Sequence, residues 1–416
     1  MLTWRIAAVL AAVVLGGFPQ LARAQVDLLS RETVHGVVDL RAAAADGEPS
    51  FTDGGFGKAR YGAEGAGYHG RFDLAMGAVE WTPRFGWEWR AVVDAGYQPG
   101  QEHLFDLYQA YLSYKPVPHS ATQFSARFGL FYPPISLEHD ARVWGITNTI
   151  TPSAINSWVG EELKVAGAEA KVTHNFGGQQ LSAVLGVFGY DDTSGTLLSF
   201  RGWAFHDLLS QARGSFELPP LSGFELKFQD TETYSTLEID HRAGLYGQVE
   251  WRPTDRLDLQ ALYYNNRGDA VGVTEDLQWA WATHFLSLGA TAQLDEHTRL
   301  SAQYLSGRTI IGRTTFRLTD VSFRSAYAML AHDVGPGVVS VRVDTFQTGD
   351  NANRPPVAND ERGWAAMAAY RRPLNQYLDL RFEALHIEST RPSRILAYEA
   401  PHQTQTIFQT SLRFTF

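Results

Sequence analysis

One stretch concentrates side chains capable of chemistry. Phe131 to Glu161 carries Glu138, His139, Asp140, Arg142, Trp144, Asn148 and Asn156. The run Glu138-His139-Asp140 suggests a metal site or an acid–base set. A metal needs ligands that converge in space, however, and neighbours on an extended chain point in opposite directions, so no metal is expected there. His206-Asp207 could orient one another, but with 13 histidines in the chain such neighbours read as surface residues. There is no G-x-S-x-G elbow, H-E-x-x-H pair or glycine-rich phosphate loop with its lysine. Gly62, Gly65 and Gly67 lack the strand before and the helix after that a nucleotide site requires. The chain has no cysteine, which excludes disulfides, thiolate nucleophiles and zinc–thiolate centres. No cofactor and no catalytic set is expected.

The elements that must carry these residues show a period of two. In the last segment Phe408, Thr410, Leu412, Phe414 and Phe416 share one face, and Gln405, Gln409, Ser411, Arg413 and Thr415 share the other. The pattern recurs upstream. Phe72, Leu74, Met76 and Ala78 form one apolar set, and Ala91, Val93, Ala95 and Tyr97 lie opposite Arg90 and Asp94. Phe124, Ala126, Phe128 and Leu130 alternate with Arg127, Val339, Val341 and Val343 with Arg342, and Leu378, Leu380, Phe382 and Ala384 with Arg381 and Glu383. Alternation thus puts Arg71, Arg90, Arg127, Arg299, Arg324, Arg342, Arg381 and Arg413 on polar faces, together with Asp73, Asp94, Asp344, Asp379 and Glu383. A protein core rejects so many charges, whereas a water-filled lumen accepts them.

Short turns at 82–84, 115–119, 175–178, 253–255, 295–297, 333–336 and 372–375 alternate with longer loops at 43–65, 98–103, 131–161, 191–239, 268–279, 309–319, 348–360 and 389–402. This layout predicts an all-β fold, a transmembrane antiparallel β-barrel of about 16 strands with short periplasmic turns and long external loops. Aromatics near strand ends, at Trp81, Trp87, Trp89, Tyr108, Tyr111, Tyr114, Trp251, Tyr263, Tyr264, Tyr370 and Tyr377, fit interfacial girdles. Ordinary β-propensity is the other explanation. In the loop 191–239, Phe205 to Arg213 could form a short helix with Leu208, Leu209 and Ala212 on one side, capping the mouth or covering a neighbouring subunit.

At the other end Arg5, the apolar run Ile6 to Leu15 and Leu21-Ala22-Arg23-Ala24 predict a secretory signal peptide over 1–24, cleaved before Gln25. The run is too short for a spanning helix; an N-terminal anchor is the alternative. Residues 25–416 then form one barrel domain. Losing Arg5 and Arg23 takes the formal charge from −10 to about −12, which disfavours nucleic acid as a partner.

The most specific motif runs FDLYQAYLSYKP, a turn, then SARFGLFYPPISLEH, within Phe105 to His139. It resembles the phosphate-selective porin O and P family, whose hairpin leads into a "GQF-x-x-PFSLE" segment. Gly129, Phe131, Pro134, Ser136, Leu137 and Glu138 match it, Leu130 stands where the family often has Gln, and Gly167-Ala168-Glu169 fits the strand that follows. The resemblance implies a sixteen-stranded homotrimeric channel in outer-membrane lipid and lipopolysaccharide, passing small hydrophilic solutes, anions such as phosphate among them. It also implies a terminal Phe416 read by the outer-membrane assembly machinery. The third external loop would fold inward, making Glu138, His139, Asp140, Arg142 and Trp144 a pore constriction, with Arg90, Arg127, Arg342, Arg381 and Arg413 as lumen charges. The family's lysine cluster is missing, since Lys58, Lys115, Lys164, Lys171 and Lys227 are scattered. A surface loop, a plugged barrel serving adhesion or envelope structure, and a barrel-based hydrolase are the competing expectations.

Overall fold

The computed structural model describes residues 26–63, 65, 67–101, 103–352 and 359–416. The expected leader, 1–24, and part of the loop 348–360 lie outside the described residues. The alternating segments form sixteen strands. The first eight are β1 Val34–Ala45, β2 His69–Trp81, β3 Trp89–Tyr97, β4 Phe105–Tyr114, β5 Thr122–Phe131, β6 Val165–Phe176, β7 Gln179–Gly189 and β8 Gly244–Thr254. The rest are β9 Leu257–Asn265, β10 Ala282–Gln293, β11 Thr298–Arg313, β12 Phe316–Val334, β13 Gly337–Asp350, β14 Glu361–Pro373, β15 Leu378–Thr390 and β16 His402–Thr415. Each pairs antiparallel with its neighbours, and β1 closes the ring on β16, from Val37 opposite Thr415 to Ala45 opposite Ile407. Closure satisfies the backbone polar groups without an open edge, which a membrane demands of any sheet.

The outer face is apolar: Phe72, Leu185, Val187, Val343, Phe382 and Phe408 are all exposed there. Arg342 and Asp344 on β13, Arg381 and Glu383 on β15 and Arg413 on β16 point inward and are buried. Trp81, Trp87, Trp251, Tyr377, Phe414 and Phe416 are exposed around the short-turn end, as a girdle would be. Tyr108 and Tyr264, expected in the girdles, are instead buried inside the barrel.

Three expectations shift. Met76 and Ala78 do not share a face with Phe72 and Leu74: the β1–β2 register steps between Asp39 and Leu40, leaving Ala75 as the extra residue of a bulge. One added residue turns the strand over, so Met76 and Ala78 join an interior cluster with Val37 and Tyr108. Thr309 to Thr319 is not a loop, because β11 and β12 continue through it to a hairpin turn at Thr314-Thr315. Arg324 faces outward, since Phe323 and Ser325 are the buried neighbours, and it donates to Gln347 at 2.7 and 3.1 Å.

Gly129, near the end of β5, has a backbone that only glycine adopts readily. Its φ is 137°, and a Cβ there would come within 2.4 Å of the Ala110 carbonyl oxygen. Only glycine fits that close approach to the neighbouring strand, two residues before the chain leaves β5 for the loop.

Candidate functional site

Three loops enter the lumen: 132–164, the 190–243 connection, and the segment around Lys58 to Tyr61. The first holds the short helix α1 Ala154–Val159 and the second α2 Thr196–Phe200. Wall side chains suspend the first loop by its backbone. Gln248 donates to the Pro134 carbonyl at 3.0 Å and Gln303 to that of Ile135 at 2.9 Å. Arg342 donates to Thr151 and Pro152, both at 2.9 Å, Arg381 to Ile146 and Thr149 at 2.9 and 3.0 Å, and Arg413 to Ile146 at 3.0 Å. The Glu383 carboxylate accepts the N–H groups of Ile150 and Thr151 at 2.7 and 3.1 Å. These charges therefore meet the loop's peptide groups, which are the partners that buried charge requires.

Glu138 is the hub of the loop. It accepts from Ser153 N at 2.9 Å, Ser153 Oγ at 2.5 Å and Asn156 Nδ2 at 2.6 Å, and pairs with Arg342 at 3.1 Å. Ser153 is also the N-cap of α1, accepting from Asn156 N. His139 is buried and stacks on Trp144 at 5.4 Å. Burial pushes its pKa down to about 4, against the pull of Glu138 and Asp140. Asp140 is exposed and accepts from Thr147 at 2.6 Å, while Arg142 pairs with Glu80 at 2.6 Å. Arg127 forms a bidentate pair with Glu169, both contacts 2.9 Å, beneath the start of the loop. Arg90 is exposed at the short-turn rim, opposite Arg84 and Ser113 in the ladder.

Ser136, His139 and Glu161 form a hydrogen-bonded row, Oγ to Nδ1 at 2.7 Å and Nε2 to Oε1 at 2.9 Å. A nucleophile needs an open approach, with oxyanion donors beside it. Here the N–H groups of Glu138 and His139 bind the serine oxygen itself, at 3.1 and 3.3 Å. The row holds the imidazole in place.

The long loop corrects the helix expected over Phe205 to Arg213. That stretch is extended and threads the lumen, with Phe205 N bonded to Lys58 O at 2.6 Å, Ser210 N to Glu161 O at 2.8 Å and Ala212 N to Leu107 O at 2.8 Å. His206 and Asp207 are not surface residues. His206 Nε2 meets Glu162 at 2.7 Å, and Asp207 pairs with Arg41 at 2.7 Å and Arg60 at 2.9 Å. Burial alone would raise the Asp207 carboxyl, but Arg41 and Arg60 hold it well below the usual range. Lys58 pairs with Glu361, and Lys164 donates to the Ser210 carbonyl at 2.6 Å; burial pushes each amine down to about 7.

Sequence reasoning passed over Asp39 and Arg41, although their i, i+2 spacing on β1 signals a shared face. Asp39 pairs with Arg41 at 2.8 Å and Arg413 at 2.9 Å. Asp192, Glu238 and Asp240 bring carboxylate oxygens within 4.8 Å of one another at the base of the long loop. Each already accepts backbone N–H groups, from Ile239, Tyr190 and Arg242 among others, so they cap that crossing.

Together the loops divide the lumen. Toward the long-loop end Trp158 meets Phe323, Phe285 and Trp203 at ring separations of 5.0, 5.4 and 5.9 Å. Ile155, Leu198, Phe205, Phe346 and Leu385 extend this buried apolar layer. Toward the short turns lies a cavity of about 390 Å³, bordered by Arg142, Trp144, Arg371, Asp379, Arg381 and Arg413, with Glu161, Asp207 and Leu209 among its other lining residues.

No family model matches the sequence, and no curated protein matches it. Solved structures do. The outer membrane channel DcaP of Acinetobacter baumannii aligns at a TM-score of 0.58 and 10% identity, over 97% of this chain and 100% of that one. An anion-selective porin from Comamonas acidovorans aligns at 0.55 and 12%, over 94% and 100%. Salmonella typhi OmpF aligns at 0.50 and 10%, over 94% and 98%. At such identities the likeness speaks for architecture: this chain has the closed sixteen-stranded barrel fold found in outer-membrane porins.

Proposed function

We propose that the chain is a bacterial outer-membrane channel of the porin class, exported by a cleaved leader over 1–24, that passes small hydrophilic solutes with a preference for anions. The observation that carries this reading is the closed barrel with an apolar outer belt around an arginine-lined lower lumen. Such a wall is stable only in a membrane, and the charges inside it set what enters. The structures it aligns with include an outer membrane channel and an anion-selective porin, which supports the same class. The resemblance of Phe105 to His139 to the phosphate-selective porins supports anion preference and a homotrimer. Here Glu138 and His139 fix the inward loop, while Arg142 and Trp144 border the aqueous cavity with Arg381 and Arg413. Arg90 and Arg127 stand nearer the wall.

One observation favours a second reading. The apolar layer around Trp158 fills the upper lumen, as a plugged barrel serving adhesion or envelope structure would require. Planar-bilayer recording of the purified, folded protein decides between them. Steps of current, with a reversal potential displaced toward anions in a chloride gradient, are expected. Folded protein that never opens would overturn the channel reading in favour of the plugged one.

A further inference from the structure

The cavity at the short-turn end has a lining of two kinds. Arg142, Arg371, Arg381 and Arg413 supply its charge. Together with Arg41 and Arg60, which reach it only through Asp207, they share four carboxylates, Asp39, Glu80, Asp207 and Asp379. Positive charge is left over even when Glu161, at the border of the cavity, is ionised. Not all of their donors are used. Arg371 spends Nε and Nη2 on Asp379 at 3.1 to 3.2 Å, and Arg142 spends Nη1 on Glu80. Arg371 Nη1 and Arg142 Nη2 have no hydrogen-bond partner among the described residues, and both side chains are partly exposed at the cavity. The Nε of Arg381 is buried without a partner.

Val37, Met76, Leu209, Ile146 and Trp144 add hydrocarbon and an indole to the same lining. Val143 and Trp144 both have φ of 54°, a strained conformation for such side chains. The strain is held by the Trp144 Nε1 bond to the Gly160 carbonyl at 2.7 Å and by stacking on Tyr132 at 5.3 Å. This kink places Arg142 and Trp144 on the border of one cavity.

We propose that this cavity is a binding site for an organic carboxylate with an aromatic or branched apolar body. Its carboxylate meets the free donors of Arg371 and Arg142, and its body lies against Met76, Leu209 and Trp144. The assignment rests on the channel reading in taking that ligand for a permeating solute. Phosphate, hydrated on every side, would have to lose water against the hydrocarbon part of the lining with nothing to replace it. A carboxylate on a ring loses water at one end only and gains apolar contact at the other. A cation of the same shape would meet the arginine excess.

The test is isothermal titration calorimetry on the full mature barrel folded in detergent, with benzoate, inorganic phosphate and benzylamine as probes. Benzoate is expected to bind at least about tenfold tighter than phosphate, since burying one ring against that hydrocarbon is worth more than this ratio requires, and benzylamine is expected not to bind. Arg371→Gln removes one charged donor and should weaken benzoate about tenfold. Met76→Gln should weaken benzoate and leave phosphate unchanged. Heat-modifiable migration on a gel shows that each variant is folded. Phosphate binding as tightly as benzoate, benzylamine binding more tightly than benzoate, or an unchanged benzoate affinity in Arg371→Gln would overturn the assignment. Current steps without benzoate binding would remove this inference and leave the channel; benzoate binding without current would do the reverse.

Discussion

Trp158 holds the inward loop to the upper wall through Phe285 and Phe323, and to the second loop through Trp203, whereas Arg342, Arg381 and Arg413 hold the same loop lower down through its carbonyl oxygens. The first contact is strong but tolerates sliding, because apolar burial depends on area rather than direction. The second is directional, and each guanidinium fixes peptide groups in a set geometry. The upper layer therefore supplies adhesion and the lower layer supplies position. A solute entering from the short-turn end meets the part of the loop that is least free to shift.

This comparison can be broken most directly at Arg342. Arg342→Ala leaves Glu138 and Asp344 buried without their cation, and frees the carbonyls of Thr151 and Pro152. Removing one partner of a buried pair costs about 3–5 kcal/mol, and the upper end of that range is expected here. Limited proteolysis should cut between residues 146 and 152 in the folded barrel, and bilayer current should become noisier and larger. Trp158→Ala should cost somewhat less, about 3–4 kcal/mol, read from the denaturant midpoint. It should leave 146–152 protected while loosening the contact of α1 with Phe323. If Trp158→Ala exposes 146–152 more than Arg342→Ala does, position is set by the apolar layer and the division of roles fails.

These two layers were not equally legible in the sequence. Val341-Arg342-Val343 and Leu380-Arg381-Phe382 state their own faces, because lipid outside and polar groups inside enforce a period of two. The ring could be counted from such segments. The partners of Arg342 could not, being backbone carbonyls some 190 residues away that carry no side-chain signature. Alternation alone gives such a lumen charge to water, whereas its contacts are two carboxylates and two peptide carbonyls. Ala75 escaped notice because a bulge adds a residue without changing composition. Thr309 to Thr319 looked like a loop because it is rich in Thr and Arg, yet it pairs as strand. Leu208 and Leu209 suggested a helix by spacing, but each is buried against a different cluster, Leu208 with Phe51 and Leu209 with Tyr132. An extended chain with contacts on both sides meets that demand.

The loop's position should also depend on pH, through His139. Its pKa is about 4 when docked, against 6.5 for the ordinary side chain. The undocked loop therefore binds the proton first. Docking is fully favoured above about 6.5 and is lost as the pH falls toward 4, with a cost of about 3 kcal/mol at the acid end. Glu161 works the other way, since burial raises its carboxyl well above the usual range and so favours the docked form in acid. His139→Gln keeps a partner for Glu161 and removes the imidazole. Protease protection of 146–152, followed from pH 7 to pH 4, should fall in the parent and hold steady in the variant. Parallel loss in both would place the acid response elsewhere.

The smallest effect is expected at Arg71, which belongs to the same alternating series as Arg342 but stands at the long-loop mouth. It is more than half exposed, and it reaches Asp53 at 3.8 Å and Asp73 at 3.7 Å. Exposed pairs of this kind are screened by salt and contribute roughly 0–1 kcal/mol. Arg71→Gln should shift the denaturant midpoint by less than about 0.5 kcal/mol equivalent and leave the protection of 146–152 the same as in the parent at every pH. The two arginines differ in what surrounds them: Arg71 keeps its water, while Arg342 has exchanged water for a loop. An Arg71→Gln barrel as destabilised as Arg342→Ala would mean that arginines anywhere in the ring matter through the charge of the barrel as a whole, and the loop-holding role of the lower layer would fall with it.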